Sequence, residues 1–113
     1  MKKLEIVIRP EKLEDLKDFI NKSGVHHGMT VSMVSGCGLQ KGRKEFYRGA
    51  EVNINLLPKV KVEIVVKDSV LEKLVDGIAA TVKTGAVGDG KIFIYNVEDV
   101  VRIRTGETGE SAI

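Results

Sequence analysis

At 113 residues the chain has the length of one domain, and its 42% hydrophobic content supplies a core, which argues against global disorder. A net charge of +2, from 18 basic and 16 acidic residues, is too balanced to point to nucleic acid through bulk electrostatics. No apolar run approaches the ~20 residues that a membrane helix needs.

Tryptophan is absent and aromatics make up 4%, so the core must be aliphatic. The N-terminal MKKLEIVIRP has a short apolar part that alternates with charge and lacks a small-residue cleavage site. It reads as a strand and not as a signal peptide. The single cysteine, Cys37, excludes an internal disulfide and suits a reducing cytoplasm.

Residues 3–9 (KLEIVIR) alternate, with Leu4, Ile6 and Ile8 on one face and Val7 as an extra apolar residue, as in a half-buried strand. Pro10 stands where a helix can begin, and Leu13, Leu16, Phe19 and Ile20 recur at helical spacing. Gly24 is a C-terminal stop. Residues 29–35 (MTVSMVS) alternate again. A mostly polar stretch without steady period follows, about twenty residues long, in a chain where loops beyond roughly 12–15 residues are uncommon and usually functional or disordered. Residues 60–66 (VKVEIVV) form the strongest strand pattern. Ser69 and Glu72 have capping-box spacing for a second helix, whose stripe is Val70, Leu71, Leu74, Val75, Ile78, Ala79 and Val82, with Gly85 as its end. GAVGDG (85–90) is a turn, KIFIYNV (91–97) a strand and VVRIR (100–104) a short one. The tail from Thr105 to Ile113 is expected to be mobile.

The order β-α-β, β-α-β predicts an α+β fold of the ferredoxin-like split type, with both helices on one face of the sheet. The other face, expected to carry Val7, Val34, Val62 and Val66, predicts oligomerisation through that face.

Three clusters suit an anion. Gly36-Cys37-Gly38 follows a strand and can wrap backbone N–H groups around a ligand, although neither a Walker A motif nor a dinucleotide fingerprint is present. Gly88-Asp89-Gly90-Lys91 combines a glycine turn with an ammonium. Arg102 and Arg104, two apart on a strand, face the same way and want a shared anion. Each has a bland alternative: a flexible loop, a tight turn, a solvated edge strand. Together they favour a polyphosphate ligand. Lys59 and Lys61 beside Pro58 can meet a carboxylate, or be solvated. Glu63 either faces water or accepts from a ligand's amino or hydroxyl groups. His26 and His27 are adjacent and diverge on extended backbone, so they are poor joint metal ligands. No catalytic constellation is legible.

Six stretches in order, GMTVS (28–32), QKG (40–42), YRGAE (47–51), LPKVKVEIVV (57–66), TGAVGDGKIF (84–93) and VVRIRTGE (100–107), give the chain a resemblance to the PII nitrogen-regulatory signal proteins over residues 1–113, apart from an extra residue near His26. The resemblance implies a compact homotrimer of ferredoxin-like subunits in the cytoplasm and a regulator in place of an enzyme. It implies ATP or ADP bound between subunits, and Mg2+ with 2-oxoglutarate bound alongside ATP. The polar stretch, about 37–56, becomes the projecting T-loop that docks on targets, and its disorder becomes its use. The targets implied are an ammonium transporter or a nitrogen-assimilation or nitrogen-fixation enzyme or regulator. Nucleic acid is not bound directly, and the membrane is met only through a transporter.

Carried over by position, the nucleotide would meet Gly28, Thr30, Gly36, Cys37, Gly38, Leu39, Gln40, Glu63 and Val65, with Gly88, Asp89, Gly90 and Lys91 around its phosphates. Arg102 and Arg104 would reach them across the subunit boundary. Gln40, Lys41, Gly42 and Lys59 would contact 2-oxoglutarate, and Gln40 also Mg2+. Tyr47, Arg48 and Glu51 would contact a partner, with Arg48 at the loop tip.

Three departures stand out. Val52 replaces the tyrosine that many members carry for uridylylation, Ala50 replaces a serine that is phosphorylated in cyanobacterial relatives, and Leu39 replaces an arginine that helps hold ATP. These imply regulation by ligands alone. Two other classes remain: an enzyme on the same fold, and a PII-like sensor of adenylates or another metabolite that has lost its 2-oxoglutarate response.

Overall fold

The computed structural model describes residues 1–25, 28–38, 44–47, 50–53 and 56–113. In chain order the elements are β1 (Lys2–Ile8), α1 (Leu13–Lys22), β2 (Met29–Gly36), β3 (Lys44–Tyr47), β4 (Ala50–Asn53), β5 (Leu57–Val66), α2 (Asp68–Val82) and β6 (Lys91–Asn96). Short 3-10 turns stand at Pro10–Lys12 and Gly109–Ala112. Strands β2, β5, β1 and β6 form one sheet in that order, with every neighbouring pair antiparallel. The fold is α+β and ferredoxin-like, as the alternation of elements predicts.

The pleat decides which residues meet the helices. Leu4, Ile6 and Ile8 of β1 pair with Ile64, Val62 and Val60 of β5, and all six are buried. Leu16 and Ile20 of α1 and Leu74, Ile78 and Val82 of α2 close the core from above. A fully buried Leu, Ile or Val contributes about 1.5–3 kcal/mol, so this all-aliphatic layer is the main source of cohesion. Gly24 has φ of +80° and follows the Ser23 cap of α1, the left-handed stop expected there.

Several expectations need correction. Val62 and Val66 lie on the helix face, at 0% exposure, because they share the pleat of Val60 and Ile64. The open face instead carries Lys3, Glu5 and Val7 of β1, Lys61, Glu63 and Val65 of β5, and Phe93 and Tyr95 of β6, the two aromatics 43% and 45% exposed. The capping box does not form: α2 starts one residue before Ser69, its Lys67 cap makes no side-chain bond, and the Met1 ammonium lies 3.0 Å from Asp68 in the first turn. That pair holds the Asp68 carboxyl below its ordinary pKa through its hydrogen bond and charge. Helix α2 stops at Val82, three residues before Gly85, because Lys83 is already extended. Strand β5 begins earlier than the alternation suggests, at Leu57. Pro58 fits there because the β1 ladder ends at Val60, leaving pairing only toward β2. The polar stretch is not wholly irregular either: β3 and β4 pair as a hairpin from Lys44↔Asn53 to Tyr47↔Ala50.

Residues 100–104 are no strand. Val101 makes a single bridge to Thr108, and residues 103–105 form a turn closed by the Gly106 amide on the Arg102 carbonyl at 2.8 Å. Gly106, at φ +74°, lets the chain reverse. The tail then folds back, with the Gly109 amide on the Val100 carbonyl at 3.1 Å and on Asp99 Oδ1 at 2.9 Å. It ends in the 3-10 turn Gly109–Ala112.

Candidate functional site

The chemistry-bearing residues fall into two groups, at the two ends of the open sheet face. The first is a cleft of about 520 Å³ where β5, β2 and the C-terminal turn meet. Gly28, Thr30, Glu63, Val65 and Arg102 all line it, as do Lys3 and Ile113. Thr30 stands opposite Glu63 across the β2–β5 ladder, and Lys3 opposite Val65 across β1–β5.

Glu63, the acid inside an apolar strand, accepts a hydrogen bond from Lys3 Nζ at 3.1 Å, and Lys61 Nζ lies 3.8 Å away. The Lys3 hydrogen bond holds the Glu63 carboxyl below its ordinary pKa, and the same bond raises Lys3. Lys3 also sits 5.0 Å from the centre of the Tyr95 ring. The cleft thus has an apolar wall from Val65, Val100 and Ile113, polar groups on its floor, and Arg102 at one side. An aromatic base with polar edges fits such a lining.

Arg102 Nη1 is 3.1 Å from Glu107, within the turn described above. Arg104 lies in that turn and is not part of the cleft lining, so the two arginines do not share the single strand face expected of them.

The second group surrounds the Val87–Gly90 turn. Lys59 Nζ donates to the Gly88 carbonyl at 2.7 Å. Gly36, at the end of β2, lies against the same lysine: a Cβ on it would be 3.5 Å from Lys59 Cγ. Lys59 has its pKa lowered by partial burial first and by the Arg9 charge second. Asp89 accepts from the amides of Thr84 and Gly85, both at 2.8 Å, from the Thr84 hydroxyl, and from Arg9 Nε at 3.1 Å. The Thr84 hydroxyl foremost, then the two amides and Arg9, hold the Asp89 carboxyl far below the usual carboxylate range, against a smaller opposing effect of desolvation. Asp89 therefore organises the turn. A fixed carboxylate is a poor phosphate ligand, and its role is to tie the 84–90 segment together. The turn is built on positive-φ glycines at 88 and 90, a backbone form that occurs in anion-binding turns. Lys91 opens β6 next to the turn, opposite Val7.

The two groups do not share a pocket. Lys59 precedes Glu63 by four residues on β5, about 13 Å at strand rise, and neither Lys59 nor the Gly88 turn lines the Arg102 cleft. Cys37 and Gly38 are exposed just beyond β2. Leu39, Gln40, Lys41, Gly42 and Arg48 lie outside the described residues, as do the side chains of Tyr47 and Glu51. Sequence reasoning missed Lys3, Arg9 and Ile113. Strand alternation places Lys3 on the same face as Glu63, so a signal for it existed. Nothing local marks Arg9 or Ile113, because each acts on a segment far away in the chain.

No helix among the described residues is long and apolar enough to cross a membrane. The family model described as nitrogen regulatory protein P-II matches residues 1–107. The chain is 52% identical over 113 residues to the nitrogen regulatory protein P-II of Pasteurella multocida (strain Pm70), with all of both chains covered. It is 50% identical over the same full length to the nitrogen regulatory protein P-II of Haemophilus influenzae (strain KW20) and to nitrogen regulatory protein P-II 1 of Escherichia coli (strain K12). With a family match over nearly all its residues, and half of them shared with these regulators end to end, the chain belongs to the nitrogen regulatory protein P-II family, a family of regulators and not of enzymes.

Proposed function

We propose that this protein is a ligand-operated signal-transduction regulator, acting in the cytoplasm on nitrogen metabolism. In this reading it binds ATP or ADP between the subunits of a homotrimer, and takes Mg2+ and 2-oxoglutarate together with ATP. The observation that carries it is the division into two half-sites. A base-sized cleft with Arg102 lies at one end of the open face, and an anion-suited turn beside Lys59 lies at the other. Neither is complete alone. Packing copies through that face, where Val7, Val65, Phe93 and Tyr95 offer apolar area among charges, brings the cleft of one copy to the turn of the next. The nucleotide's phosphates then meet the Gly88 and Asp89 amides and Lys91 from one chain, and Arg102 and Arg104 from its neighbour.

Lys59 suits a 2-oxoglutarate carboxylate, because it already stands at the phosphate turn with a polar partner. Gln40, Lys41 and Gly42 complete that site and supply Mg2+ contact in this reading. The 37–56 segment of the one domain carries the signal to a transporter, enzyme or transcription regulator through Tyr47, Arg48 and Glu51. Val52 leaves no tyrosine to uridylylate at that position, so ligands alone set the state. For each pair of ligands the coupling must be reciprocal.

The test is calorimetric titration of 2-oxoglutarate into the protein with Mg-ATP, with ADP, and with no nucleotide. Binding only with Mg-ATP is expected. ATP binding with no 2-oxoglutarate response would make the protein an adenylate sensor, with Leu39 as the first suspect. A protein that binds no nucleotide would sink the reading.

A further inference from the structure

Val87 and Gly88 are consecutive residues, and a different cation holds each carbonyl. Arg9 Nη2 donates to the Val87 oxygen at 2.7 Å, and Lys59 Nζ to the Gly88 oxygen at 2.7 Å. Arg9 reaches the same turn a second time, through Nε to Asp89 Oδ1 at 3.1 Å. It is well placed for this. It directly follows β1 and is fixed from below by Pro10 and the 3-10 turn, whose Lys12 amide bonds the Arg9 carbonyl at 3.0 Å. A peptide whose carbonyl is drawn toward a cation points its N–H the other way, so the two donors set the direction of the turn's amides. Gly88 and Gly90 have φ of +103° and +100°, a backbone that other residues rarely adopt and that needs external bonds to stay in one arrangement.

We propose that Arg9 is a positioning residue for the phosphate-bearing end of the nucleotide site, holding the Val87–Gly90 turn so that its amides face the ligand. Arg9 itself acts through the Val87 carbonyl and the Asp89 carboxylate and touches no phosphate. The side chain is mostly covered, at 16% exposure, and its fork is shared between two acceptors of one turn, a geometry that a lysine ammonium reproduces only in part. Because the turn's other carbonyl belongs to Lys59, loosening Arg9 also frees the turn to follow Lys59, which joins the nucleotide end of the site to the lysine proposed to meet 2-oxoglutarate. The inference rests on the nucleotide reading above.

The experiment measures binding of ATP and of adenosine to the wild type, Arg9→Gln and Arg9→Lys by calorimetry, with thermal midpoints recorded for all three. The expected result is about a tenfold or greater loss of ATP affinity in Arg9→Gln, with adenosine affinity within about twofold of wild type and partial recovery of ATP binding in Arg9→Lys. A parallel loss of ATP and adenosine binding, or unchanged ATP binding in a folded Arg9→Gln protein, overturns the assignment and leaves the nucleotide reading standing. A wild type that binds neither ligand overturns the nucleotide reading and this assignment with it.

Discussion

A Cβ placed on Gly90 would lie 1.7 Å from the Val7 carbonyl oxygen, and Gly90 has φ of +100°. Both facts forbid a side chain here, since the neighbour is backbone in the middle of the sheet and cannot move aside. Gly85 makes the contrast: its φ is +89°, but a Cβ on it would meet nothing within 4 Å. Gly90→Ala should therefore cost about 2–4 kcal/mol, and Gly85→Ala about 1 kcal/mol, from backbone strain alone. Urea unfolding of the two variants checks this. Equal losses would mean that the Val7 contact is relieved by a small shift of β6.

A second glycine sits between the helices. A Cβ on Gly77 would come 2.1 Å from Cζ of Phe19, so α2 packs its bare backbone on the α1 ring. Alanine would gain about 1 kcal/mol of helix propensity, but it must displace the ring. The obstacle is the far end of a side chain, so the net loss should be a moderate ~1–3 kcal/mol. Phe19→Leu should recover part of it when combined with Gly77→Ala. Purely additive effects in the double variant would show that the two residues do not share this contact.

These two glycines mark the limit of what the sequence makes legible. The strands around Leu4–Ile8 and Val60–Val66 follow from alternation, and the helices from their apolar stripes, because those patterns are local. The pleat of β5 is local too: Lys59, Lys61 and Glu63 alternate with the buried Val60, Val62 and Ile64, so Val62 and Val66 belong to the helix face, and grouping them with Val7 breaks that alternation. The turn at 103–105 was hidden because VVRIR is β-branched, and Gly106 with the Val101–Thr108 bridge decides the matter from outside the window. For the site, Gly28, Thr30, Glu63, Val65 and Arg102 do share a cleft. What sequence spacing lacks is the long-range pairing that brings Arg9 to Asp89, eighty residues away in the chain.

Asp89 makes stability depend on pH in acid. Its folded pKa is depressed, so it adds stability above its unfolded value, near 3.8, and that contribution fades as pH falls from there toward the lower folded value. Asp89→Asn removes the contribution at neutral pH. The stability gap between wild type and Asp89→Asn should then narrow as pH drops from about 5 to about 2. Glu63 and Asp68, also depressed, act in the same range in both proteins and cancel in the comparison. A gap that stays constant across that range would mean that Asp89 is not held ionised by Thr84, Gly85 and Arg9.

The Arg102–Glu107 pair separates binding from stability. Both side chains are more than a third exposed, at 38% and 43%, so the ion pair itself should contribute below ~1 kcal/mol. Arg102→Gln should leave the urea midpoint almost unchanged. In the proposed assembly, however, Arg102 is the cation that faces phosphates from the neighbouring copy. Its loss should weaken ATP binding by about tenfold or more and ADP binding by less, because the charge being neutralised grows with each phosphate. Glu107→Gln provides the control: it keeps the guanidinium while removing the partner, so nucleotide affinity should hold or rise. If both variants lose ATP equally, the carboxylate is needed to aim Arg102, and the turn closed by Gly106 becomes part of the binding machinery. If neither loses it, the cleft at Lys3 and Glu63 does not face the phosphates of a bound nucleotide, and the joining of half-sites across copies fails.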